Sequence, residues 1–259
     1  MSAVSCSPAL CSTAFLSVYR EAAMTTDLVA LLNRHRLIEL SHVYEEGMPV
    51  WPGDGRFFLS SAENFATGDG NYNCQLSLGD HCGTHIDAPV HFMPHGESID
   101  RVDIRQLVGR GRCLNMAHVL KNGAITFDMI TEWEARNGEI TAKDIVLFRT
   151  GYDKKWRCRP DHTGFMSGWP GLSARSADYL LEKGVTIFGT DALSLDCADS
   201  KDYPAHEAIL GAGGLIIESL ANLHSLPAAF VFIALPLRIK GGSASPVRAV
   251  AFVEQSEHD

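Results

Sequence analysis

Basic residues are scarce in this chain. Its 259 residues carry 22 Lys+Arg against 31 Asp+Glu, a formal net charge of -9. Such a chain has no electrostatic attraction for a phosphate backbone or an anionic lipid surface, which argues against nucleic-acid and membrane partners. Long apolar runs are missing too. The most apolar stretch, Leu226 to Leu237, covers 12 residues and includes Pro227 and Pro236. That falls short of the roughly 20 residues a membrane helix needs, and it reads as a buried strand. The seven cysteines (Cys6, Cys11, Cys74, Cys82, Cys113, Cys158 and Cys197) include no C-x-x-C pair and are odd in number. This excludes a disulfide framework and a zinc-finger pattern, and reduced thiols in a cytoplasmic protein are expected.

Nothing charged precedes Arg20, so residues 1–23 lack the basic start of a secretory signal. Residues 1–24 are expected to be a disordered extension; the alternatives are that residues 1–23 follow from a start placed too early, with Met24 as the working start, or form a short targeting peptide. Residues 25–259, with no repeat and no low-complexity linker, are expected to form a single domain. The overall 46% hydrophobic and 20% charged content fits a globular fold rather than a disordered one.

The remaining pattern is mixed α and β. Residues 25–36 have a Thr or Asp cap and leucines at helical spacing, and a short strand over Leu37 to Leu40 follows. Helices are expected over 127–137, Arg175 to Glu182 and His206 to Leu210. Short strands are expected at Gln75–Leu78, Asp144–Arg149, Val185–Gly189, Leu215–Ile217, Phe230–Leu235 and Ala249–Val253. Met48 to Gly55 (with W-P-G-D at 51–54) and Gly241 to Ser245 read as loops, the second able to approach a ligand closely.

Histidine is plentiful, at 11 residues, and three lie together in His81-Cys82-Gly83-Thr84-His85-Ile86-Asp87-Ala88-Pro89-Val90-His91. Gly83 permits a turn, and Pro89 forbids a continuous helix. An extended chain from His85 onward would put His85, Asp87 and His91 on one face and Ile86, Ala88 and Val90 on the other, with His81 returning through the Gly83 turn. Two imidazoles converging with a carboxylate suit zinc or manganese. The remaining ligands must come from elsewhere. His206 and Glu218 are candidates, because a carboxylate closing the apolar run Leu215-Ile216-Ile217 is costly without a cation; a structural salt bridge is the alternative reading. Trp51 is a candidate substrate wall or else a core residue, and Asp191 either orients His206 or caps a turn. Phe57, Phe58 and Phe65 are core or pocket.

H-x-G-T-H-x-D-A-P-x-H, preceded by the W-P-G-D loop, resembles the cyclase family of metal-dependent hydrolases, which includes bacterial kynurenine formamidases and isatin hydrolases. The likeness continues through G-T-D-A-L-S-L-D (189–196), A-H-E-A-I-L-G-A-G (205–213), I-I-E-S-L-A-N-L (216–223) and A-L-P-L-R-I-K-G-G-S-A-S-P-V-R (234–248), and spans roughly residues 37–253. The resemblance implies a compact α/β domain of the swivelling β/β/α type, assembled as a homodimer or homotetramer. It implies that His81, His85 and Asp87 bind metal, that Asp87 bridges two ions, and that His206 and Glu218 complete the second position. His91 matches the family's catalytic histidine. Isatin hydrolases resemble one another in a glutamine at the position of Glu218 and a single manganese; Glu here implies a two-zinc site, with manganese as the alternative. Cys82, Thr84, Phe92 and Ala244 depart from the kynurenine formamidase pattern. The activity so implied is hydrolysis of an amide bond in a small aromatic formamide or cyclic amide, with lactam opening or lactone hydrolysis as variants. Two other classes compete: a thiol hydrolase built on Cys82, and a non-catalytic, metal-stabilised binding protein.

Overall fold

Asp144–Arg149 is apolar on both faces, as a strand buried between layers must be. In the computed structural model, which describes residues 27–255, it becomes the central strand β7. It runs parallel to β5 (Val108–Asn115) on one side and to β9 (Ile187–Thr190) on the other, and β9 is parallel to β10 (Leu215–Glu218). Parallel neighbours need crossovers. Helices supply them here: α2 (Phe127–Asn137) before β7, α3 (Ala174–Glu182) before β9 and α4 (Pro204–Gly211) before β10.

Antiparallel pairs continue the sheet. β11 (Ala229–Pro236) pairs with β5, and β4 (His85–Asp87) pairs with both β10 and β12 (Ala244–Glu254). The order β12-β11-β5-β7-β9-β10-β4, with β4 paired back onto β12, closes a ring of strands. The fold is therefore mixed α/β, as expected, and its sheet is barrel-like. Its core lies between the sheet and the three helices and includes Leu114, Ile130, Phe148, Leu180, Phe188, Ile209 and Ile216. Each such side chain contributes about 1.5–3 kcal/mol by leaving water.

Two units are distinguished, residues 38–251 and a smaller one made of 27–37 with 252–255. In the smaller unit residues 27–33 form α1, and His35 begins β1 (His35–Glu39). The expected extension over 1–24, the candidate start Met24, Cys6, Cys11 and the Thr25 or Thr26 cap lie outside the described residues. In the larger unit, β2 (Phe58–Glu63) and β3 (Asn73–Ser77) form a separate hairpin, and β6 (Ala124–Ile125) pairs with β8 (Gly171–Leu172). Among the described residues no helix is long and apolar enough to cross a membrane.

Four expectations need correction. The helix expected over 25–36 ends at residue 33, and His35 and Arg36 already belong to β1. The run Leu226–Leu237 holds β11, but alternate residues of that strand are exposed, because only one face meets the core. The loop read over Gly241–Ser245 ends at Ser243. Ala244 and Ser245 open β12, where pairing to Asp87 and Ile86 outweighs the glycine content before them. The extended run expected from His85 stops at Ala88, and Pro89–His91 is a 3-10 turn. Pro89 has no N–H to satisfy and a preset φ, which favours it at the first position of such a turn.

Candidate functional site

Strand β4 is three residues long and buried throughout. Its register decides the site. Glu218 of β10 lies directly opposite His85, and Asp87 lies two residues on, so both β4 side chains share the face to which Glu218 points, while Ile86 enters the core. His85 Nε2 stands 3.3 Å from Asp87 Oδ1 and 3.8 Å from Glu218 Oε2. His81 returns through Gly83, whose φ is +65°. A Cβ there would meet the Tyr44 ring at 2.7 Å, and the Tyr44 hydroxyl lies 2.6 and 2.7 Å from the carbonyls of Cys82 and Thr84. Only glycine fits this turn. His81 Nδ1 then reaches Asp87 Oδ1 at 2.7 Å.

His206 arrives from α4. Its Nε2 is 3.2 Å from Glu218 Oε1 and 3.6 Å from Asp87 Oδ2. The sequence left Asp191 as its orienting partner or as a turn cap, and the structure rules out the first and gives the second. Asp191 instead accepts the backbone N–H groups of Thr150 and Gly151, each at 2.7 Å, and so caps that turn. The residue on His206 is Asp196, whose Oδ2 accepts Nδ1–H at 2.7 Å. Asp196 also accepts the N–H groups of Ala205 and His206 at the start of α4. In the same way the Gly83 carbonyl, 2.9 Å from His85 Nδ1, favours the tautomer of the neutral ring that carries its lone pair on Nε2.

The donors form two adjoining sets, His81–His85–Asp87 and Asp87–His206–Glu218, with the ligating atoms of each within 4.8 Å of one another. Asp87 belongs to both. It is 1% exposed, and although three imidazole nitrogens approach it, neither of its oxygens makes a directed hydrogen bond. A buried carboxylate without directed hydrogen bonds is expensive unless it meets a cation. The local field says the same. Burial alone would lower the pKa of His85, but the Asp87 carboxylate outweighs it and lifts the value to about 9. Burial alone would likewise lower His206, yet Asp196, Asp87 and Glu218 hold it well above its ordinary value. Burial would raise Asp87, but His85 beside it holds it well below the usual carboxylate range. The pocket thus attracts positive charge, and nitrogen and carboxylate donors in these numbers fit a divalent zinc- or manganese-like ion.

His91 comes in by the 3-10 turn, not by strand alternation, and its ring centroid lies 4.0 Å from that of His81. Although exposed at the mouth, its ring stands among His81, Phe92 and His206. Desolvation there pushes its pKa below the ordinary value, with Asp87 opposing. A cavity of about 280 Å³ opens on these groups. Trp51 lines it and also meets Trp169 and Tyr203 edge-on.

Several lining residues escaped the sequence reading: Asp54, Phe92, Leu193, Ser194 and Tyr203. Phe92 follows His91 directly, and Tyr203 precedes the P-A-H of α4, so their neighbours were the available signal. Phe57 is core, packed with Met48, Val50 and Cys82, whereas Phe58 and Phe65 are exposed and line no part of this cavity. Burial pushes the Cys82 thiol up to about 11, which leaves it a poor nucleophile.

Comparison with known proteins bears on the family and the fold. The family described as "Putative cyclase" matches residues 38–197. A kynurenine formamidase of Geobacillus thermodenitrificans is 32% identical over 213 residues, covering 82% of this chain and 95% of that protein. An isatin hydrolase of Roseibium aggregatum is 33% identical over 201 residues, covering 70% of this chain and 74% of that protein. The solved structure of isatin hydrolase A from Labrenzia aggregata, bound to benzyl benzoate, superposes with a TM-score of 0.81 at 28% identity and covers 90% of this chain and all of that one. This chain belongs to the cyclase family.

Proposed function

We propose that this protein is a metal-dependent hydrolase that cleaves the carbon–nitrogen bond of a small aromatic formamide, as a kynurenine formamidase does. The observation that carries the reading is the buried Asp87 carboxylate, without a directed hydrogen bond and shared by two sets of nitrogen and oxygen donors. His81, His85 and Asp87 would hold one zinc ion, and Asp87, His206 and Glu218 a second, with manganese as the alternative metal. An ion held there supplies Lewis-acid polarisation of a carbonyl and makes water acidic enough to lose a proton near neutral pH.

The chain's own residues do the rest. An imidazole nitrogen of His91 accepts the proton that water releases and returns it to the departing amine, giving a carboxylic acid and an amine from amide and water. Desolvation pushes the pKa of that imidazole below its ordinary value, which favours its proton-accepting form. Trp51, Phe92 and Tyr203 offer aromatic faces to a flat substrate. Among the described residues no Lys or Arg lines the cavity, which favours neutral amides over anionic ones. Opening of a cyclic amide is the second reading, supported by the likeness to isatin hydrolases. We further propose that residues 25–259 act as one hydrolase domain, in the cytoplasm, as a homodimer or homotetramer.

The test is a panel of aryl formamides, lactams and lactones, assayed after chelation and again after zinc or manganese is restored. The proposal expects formamide turnover that vanishes with the chelator and returns with the metal. Turnover that survives chelation and is abolished by iodoacetamide would transfer the chemistry to a thiol. Bound metal with no turnover on any substrate would make this a binding protein.

A further inference from the structure

His81 presents its ring differently from its neighbours. His85 and His206 turn Nε2 inward and anchor Nδ1, to the Gly83 carbonyl and to Asp196. His81 turns Nδ1 inward, 2.7 Å from Asp87 Oδ1, and its outward Nε2 lies 3.0 Å from the Ser243 hydroxyl oxygen. That hydroxyl is committed elsewhere, because it donates to Asp80 Oδ2 at 2.8 Å. A serine has one hydroxyl proton, and an ionised carboxylate can only accept. The Ser243 oxygen therefore faces His81 with lone pairs alone, and Nε2 must carry a proton to bond it.

The arrangement is held from both sides. The Ser243 carbonyl accepts the N–H of Ala88 at 2.9 Å, the Gly242 carbonyl accepts the N–H of Ile99 at 3.0 Å, and Ala244 pairs with Asp87 across the β12–β4 ladder. Asp80 Oδ2 also lies 3.3 Å from the Ala244 N–H. The loop that carries Ser243 is thus tied to the strand that carries His85 and Asp87.

We propose that Asp80 and Ser243 form a positioning relay for His81: they place the ring proton on Nε2, keep the Nδ1 lone pair inward, and so tune the affinity of the metal position that His81 serves, independently of the position served by His206 and Glu218. The inference rests on the metal assignment made above. Neither relay residue lines the cavity. Partners of this kind fix the tautomer and orientation of a ligating imidazole, and their loss costs about 10–100-fold in metal affinity.

The experiment is zinc titration of chelator-stripped full-length protein in competition with a chromophoric chelator, alongside nitrogen–proton correlation spectra of the histidine rings. Wild type should bind two ions, with His81 as the Nε2–H tautomer, its signals identified by their loss in His81→Gln. Ser243→Ala and Asp80→Asn should each weaken one binding step by about 10–100-fold and leave the other unchanged. Ser243→Thr, which restores the hydroxyl, should recover the lost affinity. The metal-free variants should melt with wild-type cooperativity. Two wild-type affinities in Ser243→Ala overturn the relay, and so does weakened binding accompanied by loss of cooperative melting in the metal-free protein. If His81→Gln leaves zinc stoichiometry and affinity untouched, the metal assignment itself falls, and the relay with it.

Discussion

Asp196 accepts the Nδ1–H of His206 at 2.7 Å and thereby aims Nε2 of that ring at Glu218, 3.2 Å away. Its two carboxylate oxygens also receive the first N–H groups of α4. One side chain fixes both the helix that delivers the histidine and the face that the histidine presents. Asp196→Asn keeps a carbonyl oxygen for the helix but removes the charge behind the imidazole. Metal affinity at the Asp87–His206–Glu218 position should fall about 10–100-fold, read by chelator competition. Unchanged affinity would leave Asp196 as a helix cap and nothing more.

Asp87 shares its two oxygens between the two donor sets, and the carboxylate is buried. An amide at this position offers one weak acceptor in place of two charged ones. Asp87→Asn should therefore lose stoichiometric metal and amidase activity together, with elemental analysis and turnover measured on the same preparation. Full zinc content with full activity would show that the bridging assignment is wrong.

His91 stands beside these groups without belonging to either donor set. His91→Ala should keep its metal and lose about two to four orders of magnitude in turnover, the usual worth of a general acid–base group. Loss of metal in that variant would instead make His91 a ligand.

The parts of this site that were legible in the sequence are those encoded locally. His81, His85 and Asp87 sit within one short motif, where a glycine turn and strand alternation bring them together. Glu218 betrayed itself as a carboxylate ending an apolar strand, and the β4–β10 register then places it opposite His85. What stayed hidden depends on how distant segments meet. Asp191 and Asp196 lie in one stretch, D-A-L-S-L-D, and only the tertiary path decides that the first faces the Thr150 turn and the second faces His206. Ser243 lay in a run read wholly as loop, because the strand pairing that begins at Ala244 is made with residues more than 150 positions earlier. His91 reaches the expected place by an unexpected route, since proline starts a 3-10 turn as readily as it ends a strand.

His42 supplies a pH dependence from outside the two donor sets. Its ring stacks on Trp156 at 3.9 Å with the planes 5° apart, and Phe165 meets it edge-on. Nε2 is buried without a hydrogen-bond partner. Burial pushes its pKa down to about 4, whereas in the unfolded chain a histidine titrates near about 6.5. Between those values the unfolded chain binds more protons than the folded one, so stability rises with pH across the window. The contribution is fully present above about pH 6.5 and is lost as the pH falls toward 4. His42→Phe keeps an aromatic stack and cannot be protonated. In chelator-stripped protein, wild-type Tm should therefore fall relative to that of His42→Phe as the pH is lowered from 7 to 4.5, and the gap should widen steadily. Parallel melting curves across that range would show that the imidazole is not held neutral against Trp156.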